Sequence, residues 1–474
     1  MSKARAERRT PAAKPAAKAA DEHVRHLFGT DGIRGVANAE ILRPELAMRL
    51  GRAITHVAGR GKAHAPRILI GKDTRLSGYM LEQALAAGIC SMGGRVILCG
   101  PIPTPAVAHL TTSMRADAGI VISASHNPYE DNGIKIFGGD GFKLPDSAEA
   151  ELERLMADES LLGPLPTGPG IGRASFLDDA RGRYVVFAKN SFPNDLTLDG
   201  IRVVVDAAHG AAYQVAPLVF SELGASVTSI GVKPNGVNIN KSAGALHPDQ
   251  VRAEVVKRGA MLGIALDGDA DRLIVVDEKG QIVDGDAVMA MCAARMIDDG
   301  MLNDNTLVCT VMSNLGLERA IQARGGKVVR TQVGDRYVVE AMRSGGFNLG
   351  GEQSGHLIFL DHASTGDGIV AALQLMAILV RTGKPLSALA KRAMSRVPQV
   401  LESLSLPRRL PLGEMKKLGA QIRTVEKALG IDGRVLVRWS GTEAKLRIMV
   451  EGPKDDQIRA YAAAMAKAAR EDVG

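Results

Sequence analysis

The loop "SASHNP" follows an apolar run, Ile120-Val121-Ile122, and carries Ser123, Ser125, His126 and a turn-forming Asn127-Pro128. Asn and Pro favour turns, so an ordinary strand exit fits. A nucleophilic serine fits too, because open α/β sheets place their ligands at the carboxyl ends of strands. A second cluster is sharper. The strand-like "GIAL" delivers Asp267, Asp269 and Asp271, separated only by Gly268 and Ala270. Carboxylates this close repel one another, and a divalent cation with all-oxygen ligation, such as Mg2+, relieves the repulsion. An EF-hand loop also begins D-x-D-x-D, but its sixth position calls for Gly. Here that position is Arg272, and the following "LIVVD" is strand-like. A phosphatase of the haloacid-dehalogenase type, with Asp267 as nucleophile, stays open, as does a loop of solvated acids.

Three weaker loops complete the set. "FGTDGIRG" (28–35) offers glycines and Arg34, which suit a phosphate. "GGEQSGH" (350–356) places Glu352 and Ser354 two apart, so an extended backbone would aim both at neighbouring sugar hydroxyls. His356 there fits a satisfied core histidine equally well. "RWSGTEAKLR" (438–447) offers Arg438, Ser440, Gly441, Thr442 and Arg447 as a phosphate cradle. A plain turn competes in each case. Jointly the loops call for a phosphate, a divalent metal, a hydroxyl-rich partner and a nucleophile, which is phosphoryl transfer on a sugar. No Walker-type G-x-x-x-x-G-K-[ST] occurs, so a nucleotide donor is not indicated.

The elements that must carry these loops recur. "RILIGK", "IRVVVD" and "TLVCT" each lead through a polar loop and an amphipathic stretch to a Gly-containing pair and a second strand. The alternation argues an α/β architecture built by triplication. From about Pro398 the pattern changes to strand, helix ("LGEMKKLGAQIRTVEKAL"), two strands and a closing helix, a small α+β unit. "PLPTGPGIGRAS" (164–175) reads as a linker. Of the formal charge of +7, residues 1–20 carry +5, leaving +2 for the rest. That balance gives no nucleic-acid surface, and the Ala/Pro/Lys tail reads as a disordered basic arm. No run of 18 apolar residues suggests a membrane span. Cys90, Cys99, Cys292 and Cys309 show no CxxC pairing, which fits a reducing cytoplasm.

On "SASHNP", "DGDADR", "GEQSGH" and "RWSGTE", in that order, and over nearly the whole chain from about His26, the sequence resembles the α-D-phosphohexomutase superfamily. "FGTDGIRG", "GVNIN" (236–240), "VGDRYV" (333–338) and Gln353 are similar to its glucosamine branch. The resemblance implies three related α/β domains plus a smaller C-terminal α+β domain around a central cleft. The expected divisions are a tail at 1–22, a phosphoserine-loop domain at 23–180, a metal-loop domain at 181–280, a sugar-recognition domain at 281–395 and a phosphate-binding domain at 396–474. It implies an isomerase that interconverts glucosamine 6-phosphate and glucosamine 1-phosphate, feeding UDP-N-acetylglucosamine and cell-wall precursors. Ser125 would be the phosphoserine, with Arg34, Lys135 and His126 beside it. Mg2+ would sit on Asp267, Asp269, Asp271 and Ser125. Arg272, Glu352, Ser354, His356, Arg438, Ser440, Gly441, Thr442 and Arg447 would bind substrate. Glucosamine 1,6-bisphosphate would be the intermediate and activator. The partner would be a phosphosugar, not nucleic acid or membrane, and the enzyme a cytoplasmic monomer or homodimer. A phosphomannomutase or phosphoglucomutase, a haloacid-type phosphatase and a sugar-phosphate-binding regulator are the alternatives. Trp439 and Ala444 depart from the family's distal loop, which usually has proline after its glutamate and a small residue or proline after its arginine; the departure implies a less rigid loop.

Overall fold

The computed structural model describes residues 27–29, 31–440 and 445–474. The basic arm, Gly441, Thr442 and Ala444 lie outside the described residues.

The first sheet holds β1 (Ile33–Val36), β2 (Arg67–Lys72), β3 (Arg95–Pro101), β4 (Ala118–Ile122), β5 (Asp131–Gly138) and β6 (Arg173–Phe176), in the order β1-β5-β4-β2-β3-β6. The second holds β7 (Arg202–Asp206), β8 (Ser226–Ile230), β9 (Leu262–Leu266), β10 (Leu273–Asp277) and β11 (Ile282–Val283), ordered β11-β10-β9-β7-β8. The third holds β12 (Thr306–Thr310), β13 (Lys327–Thr331), β14 (Leu349–Gly351) and β15 (Leu357–Phe359), ordered β13-β12-β14-β15.

One plan underlies all three. A central strand (β2, β7, β12) pairs in parallel with the next strand on one side and the third on the other. The third strand then turns back into an antiparallel partner: β4 to β5, β9 to β10, β14 to β15. Each unit therefore presents one hairpin loop at the carboxyl end of its parallel strands, the end where such sheets bind ligands.

Packing follows the period-two rule for strands. Along β2, Leu69 joins an apolar core shared by all three units, with Val205 and Ile264 of the second and Leu307 and Leu349 of the third. Ile68 and Ile70 point to a separate core on the other face of the first sheet. The C-terminal unit closes its own core. Its antiparallel sheet, β16 (Gln399–Ser405), β17 (Arg434–Trp439) and β18 (Lys445–Glu451), runs β16-β18-β17. Leu446, Ile448 and Val450 of β18 pack with Leu418, Ile458 and Met465 of the helices Lys416–Leu429 and Asp455–Val473.

Two local expectations are corrected. The stretch 164–175 is not wholly a linker, since Arg173–Phe176 extends the first sheet beside β3. Strands β10 and β11 are hydrogen-bonded, so the second sheet runs to Val283. The helix expected from Leu412 starts at Lys416, after a separate 3-10 turn at Leu412–Glu414. Among the described residues no single helix is long and apolar enough to cross a membrane.

Candidate active site

All three hairpin loops carry residues singled out in the sequence. Ser125 lies between β4 and β5, the three aspartates between β9 and β10, and Glu352 to His356 between β14 and β15.

The first two loops meet directly. Ser125 is buried, and its Oγ donates to Asp267 Oδ2 at 2.5 Å. His126 Nδ1 lies 3.2 Å from the same Oγ. Burial, then Arg272 and Arg34, push the His126 imidazole down to about 4, so it is neutral near pH 7. A neutral ring nitrogen beside a hydroxyl can exchange a proton with it.

Asp267, Asp269 and Asp271 are all buried and bring one oxygen each within 4.8 Å of the others. Burial, then Asp271 and Asp269, raise the Asp267 carboxyl well above the usual carboxylate range. Asp271 moves the other way: burial opposes its ionisation, but Lys135 and then His356 hold it well below that range. Asp269 Oδ1 is buried without a hydrogen-bond partner, and Asp271 Oδ1 faces the His356 ring at 3.6 Å, beyond hydrogen-bond reach. Orphaned oxygens on a crowded triad fit a hard divalent cation. Lys135 Nζ donates to Asp269 Oδ2 at 2.9 Å and Asp271 Oδ2 at 3.3 Å, and reaches Asp31 at 3.2 Å. Arg34 pairs with Asp31 as well. The first loop, the serine hairpin strand and the aspartate loop thus form one charge network.

The third loop takes the turn rather than the extended alternative. Gly355 N–H donates to the Glu352 carbonyl at 3.0 Å, so the segment is a turn, not an extended strand. The side chains converge nonetheless: Ser354 Oγ donates to Glu352 Oε2 at 3.2 Å, and Gly334 N–H to Oε1 at 3.0 Å. His356 is buried between Asp271 (3.6 Å) and Asp335 (3.5 Å), which raise its pKa against the effect of burial. It stands behind the aspartate loop. Arg272 is tied to that loop through its backbone, N–H to Asp267 Oδ1 at 3.1 Å, and its Nε has no partner.

In the C-terminal sheet Arg438 and Arg447 are direct cross-strand partners. Like charges in that register repel. Burial, then Arg447, lower the Arg438 pKa, offset by Glu352. Both Nε atoms are buried and unpartnered. An anion between them would answer both defects. Ser440 is buried beside this pair in sequence, its carbonyl accepting from Arg409 at 2.7 Å.

Sequence reasoning missed several participants. Thr104 donates to Asp269 Oδ2 at 2.7 Å and orients it. Lys143 bridges Asp31 and Asp335. Asp31 lay in "FGTDGIRG" and Asp335 in "VGDRYV", both already singled out, while Thr104 and Lys143 carried no signal.

Family models for phosphoglucomutase/phosphomannomutase match in sequence: alpha/beta/alpha domain I at residues 25–162, domain II at 183–280, domain III at 284–397 and the C-terminal domain at 399–468. The phosphoglucosamine mutase of Sorangium cellulosum is 67% identical over 95% of this chain and 94% of its own. That of Myxococcus xanthus is 58% identical over 93% of this chain and 96% of its own. A solved phosphoglucomutase/phosphomannomutase family protein of Burkholderia thailandensis superposes with a TM-score of 0.79 at 25% identity, covering 94% of this chain and 97% of that one. The fold is also that of an Aspergillus fumigatus N-acetylphosphoglucosamine mutase solved with GlcNAc-6P and magnesium, with a TM-score of 0.64 at 17% identity and coverage of 96% and 98%. With four matched domains in order and relatives this similar over their whole length, the chain belongs to the phosphoglucomutase/phosphomannomutase family, the α-D-phosphohexomutases, in its phosphoglucosamine mutase branch.

Proposed function

We propose that the enzyme interconverts glucosamine 6-phosphate and glucosamine 1-phosphate by way of a phosphoserine at Ser125 and a 1,6-bisphosphate. The observation that supports this most is the Ser125 hydroxyl held 2.5 Å from Asp267, where the first two hairpin loops meet. Free serine is a weak nucleophile and needs help. His126 offers it a proton acceptor, and Lys135 and Arg34 add positive charge through the network on Asp31, Asp269 and Asp271. In the forward direction the O1 hydroxyl of glucosamine 6-phosphate attacks the phosphoserine phosphorus. The bond from phosphorus to the serine oxygen breaks, O1 loses its proton and the serine oxygen gains one. The bisphosphate turns over, and Ser125 takes the phosphoryl back from O6. Glu352 and Ser354 grip sugar hydroxyls, and Arg438 and Arg447 hold the phosphate that is not reacting. A Mg2+ on Asp267, Asp269 and Asp271 supplies charge neutralisation to the moving phosphoryl group. The four cysteines are free, and the reducing cytoplasm fits them.

The deciding assay offers glucosamine, glucose and mannose 1-phosphates, each primed with its bisphosphate. The highest kcat/KM is expected for the glucosamine compound, and a higher value for mannose or glucose would reassign the substrate. Phosphopeptide mapping separates the haloacid-type reading. The label is expected on Ser125 and should stay there in Asp269→Asn, which weakens Mg2+ binding; an alkali-labile label on Asp267 would overturn the assignment.

A shared cradle makes its own demand. A charge-assisted hydrogen bond is worth roughly 1.5 to 3 kcal/mol. Arg438→Ala should therefore slow single-turnover transfer from the phosphoenzyme by roughly ten- to a hundredfold with either sugar phosphate. A defect with only one of the two would mean separate phosphate sites.

A further inference from the structure

Ser125 has a left-handed backbone, with φ of 51°. That region is costly for any residue with a Cβ. Ala270, inside the aspartate loop, shares it, and so do Ala208, His209 and Asn240 of the second unit. The last three lie at the seam with the first unit. Asn240 N–H donates to the Ala208 carbonyl at 2.9 Å, and Thr74 Oγ1 to the His209 carbonyl at 2.6 Å. Strain of this kind persists only where the surroundings over-determine it.

At Ser125 the over-determination comes from donors aimed at the carbonyls of its own loop. Arg75 is fully buried. Its Nη2 donates to the carbonyls of Ser125 at 3.0 Å and Asn127 at 2.8 Å. Its Nη1 donates to those of Asp131 at 3.0 Å and Pro128. Asp73 holds the guanidinium by an ion pair at 2.8 Å. The same Asp73 accepts from Ser123 Oγ at 2.6 Å, and that Oγ accepts from Ser125 N–H at 2.9 Å. From the second unit, Asn240 Nδ2 donates to the Ser125 carbonyl at 2.8 Å and the Asn127 carbonyl at 3.0 Å. Among the described contacts neither Arg75 nor Asn240 bonds Oγ. Both grip the peptide behind it, from two different sheets.

We propose that Arg75 and Asn240 are positioning residues for phosphoryl transfer. Together they fix the backbone of Ser125 so that its Oγ stays on Asp267. Asn240 further makes that aim depend on the second unit, which carries the aspartates, being seated against the first. The inference rests on Ser125 as phosphoryl carrier and adds what holds the carrier in place.

Two variants test it. Asn240→Gly keeps the left-handed backbone and removes both donors. Asn240→Asp keeps the shape and sets a carboxylate against two carbonyl oxygens. Small misplacements of reacting groups cost rate steeply. The expected result is a fall in kcat on the order of tenfold for Asn240→Gly, and more for Asn240→Asp. KM for glucosamine 1-phosphate should stay within about twofold, because the sugar and phosphate loops are untouched. Arg75→Lys, which keeps the charge but loses the planar fork, should show the same split between kcat and KM. Unchanged kcat in both Asn240 variants, or a loss carried wholly by KM, overturns the clamp. Intact-mass analysis of the wild type runs alongside. Absence of a serine-bound phosphate there would instead remove the carrier reading beneath it.

Discussion

Replacing Ser125 with alanine is expected to lower mutase turnover by at least about a thousandfold, the scale on which loss of a nucleophile removes catalysis. The variant loses the hydroxyl that donates to Asp267 Oδ2, and intact mass should show no bound phosphate. Because Ser125 holds a left-handed backbone, Ser125→Gly is the companion variant. Glycine adopts that conformation without strain, so its inactivity isolates the missing hydroxyl from any backbone effect. Retained activity in either variant would rule out the covalent route. Circular dichroism should match the wild type in both.

The second large effect is expected at a residue with no functional group. A Cβ on Gly268 would stand 2.5 Å from the Ser125 carbonyl oxygen, and 2.9 Å from Asn240 Nδ2 and from Ile239 Cδ1. Carbon cannot approach a backbone oxygen that closely, so the aspartate and serine loops must separate. Misplacement of about 1 Å can cost a hundredfold in rate. Gly268→Ala should therefore reduce kcat about a hundredfold or more while all three aspartates remain. Gly182→Ala is the control, since a Cβ there meets nothing within 4 Å; its kcat should be unchanged. Wild-type turnover in Gly268→Ala would show that the serine and the triad do not need to touch.

These two sites mark what could and could not be seen in the amino-acid chain. The triad was legible because three carboxylates crowd the end of one apolar strand, while Ser125 stood out only by its place at a strand end and by the family resemblance. The three sheets were legible because apolar runs alternate with helical spacing. Arg75 and Asn240 were not. Their partners are backbone carbonyls, and a carbonyl leaves no mark in a sequence. Asn240 had been noted only as part of "GVNIN". Lys143 was hidden for another reason: its carboxylate partners lie 112 and 192 positions away. Strand β6 was missed because all four of its residues are exposed. Its polar–apolar alternation, Arg173 to Phe176, spans only four residues and buries nothing, and the open edge of β3 makes it a strand. Whether the loop at 350–356 runs extended or turns stayed open, because its flanking glycines permit a tight turn that residue spacing alone does not reveal.

The repeated hairpin has a consequence for how such an enzyme can change over generations. The three loops occupy equivalent places in three copies of one plan, yet each has been given a different task. Two of them, on β4–β5 and β9–β10, interlock through Ser125, Gly268 and Asn240, so neither tolerates revision without the other. The third, on β14–β15, keeps Glu352 and Ser354 satisfied within its own unit. Gly355 and His356 of that turn are tied to the aspartate unit, through Leu273 N–H at 3.0 Å and Asp271 at 3.6 Å. On the roles proposed above, Glu352 and Ser354 are therefore the two positions where hexose acceptance can be retuned while the interlocked serine and aspartate loops keep the reaction unchanged.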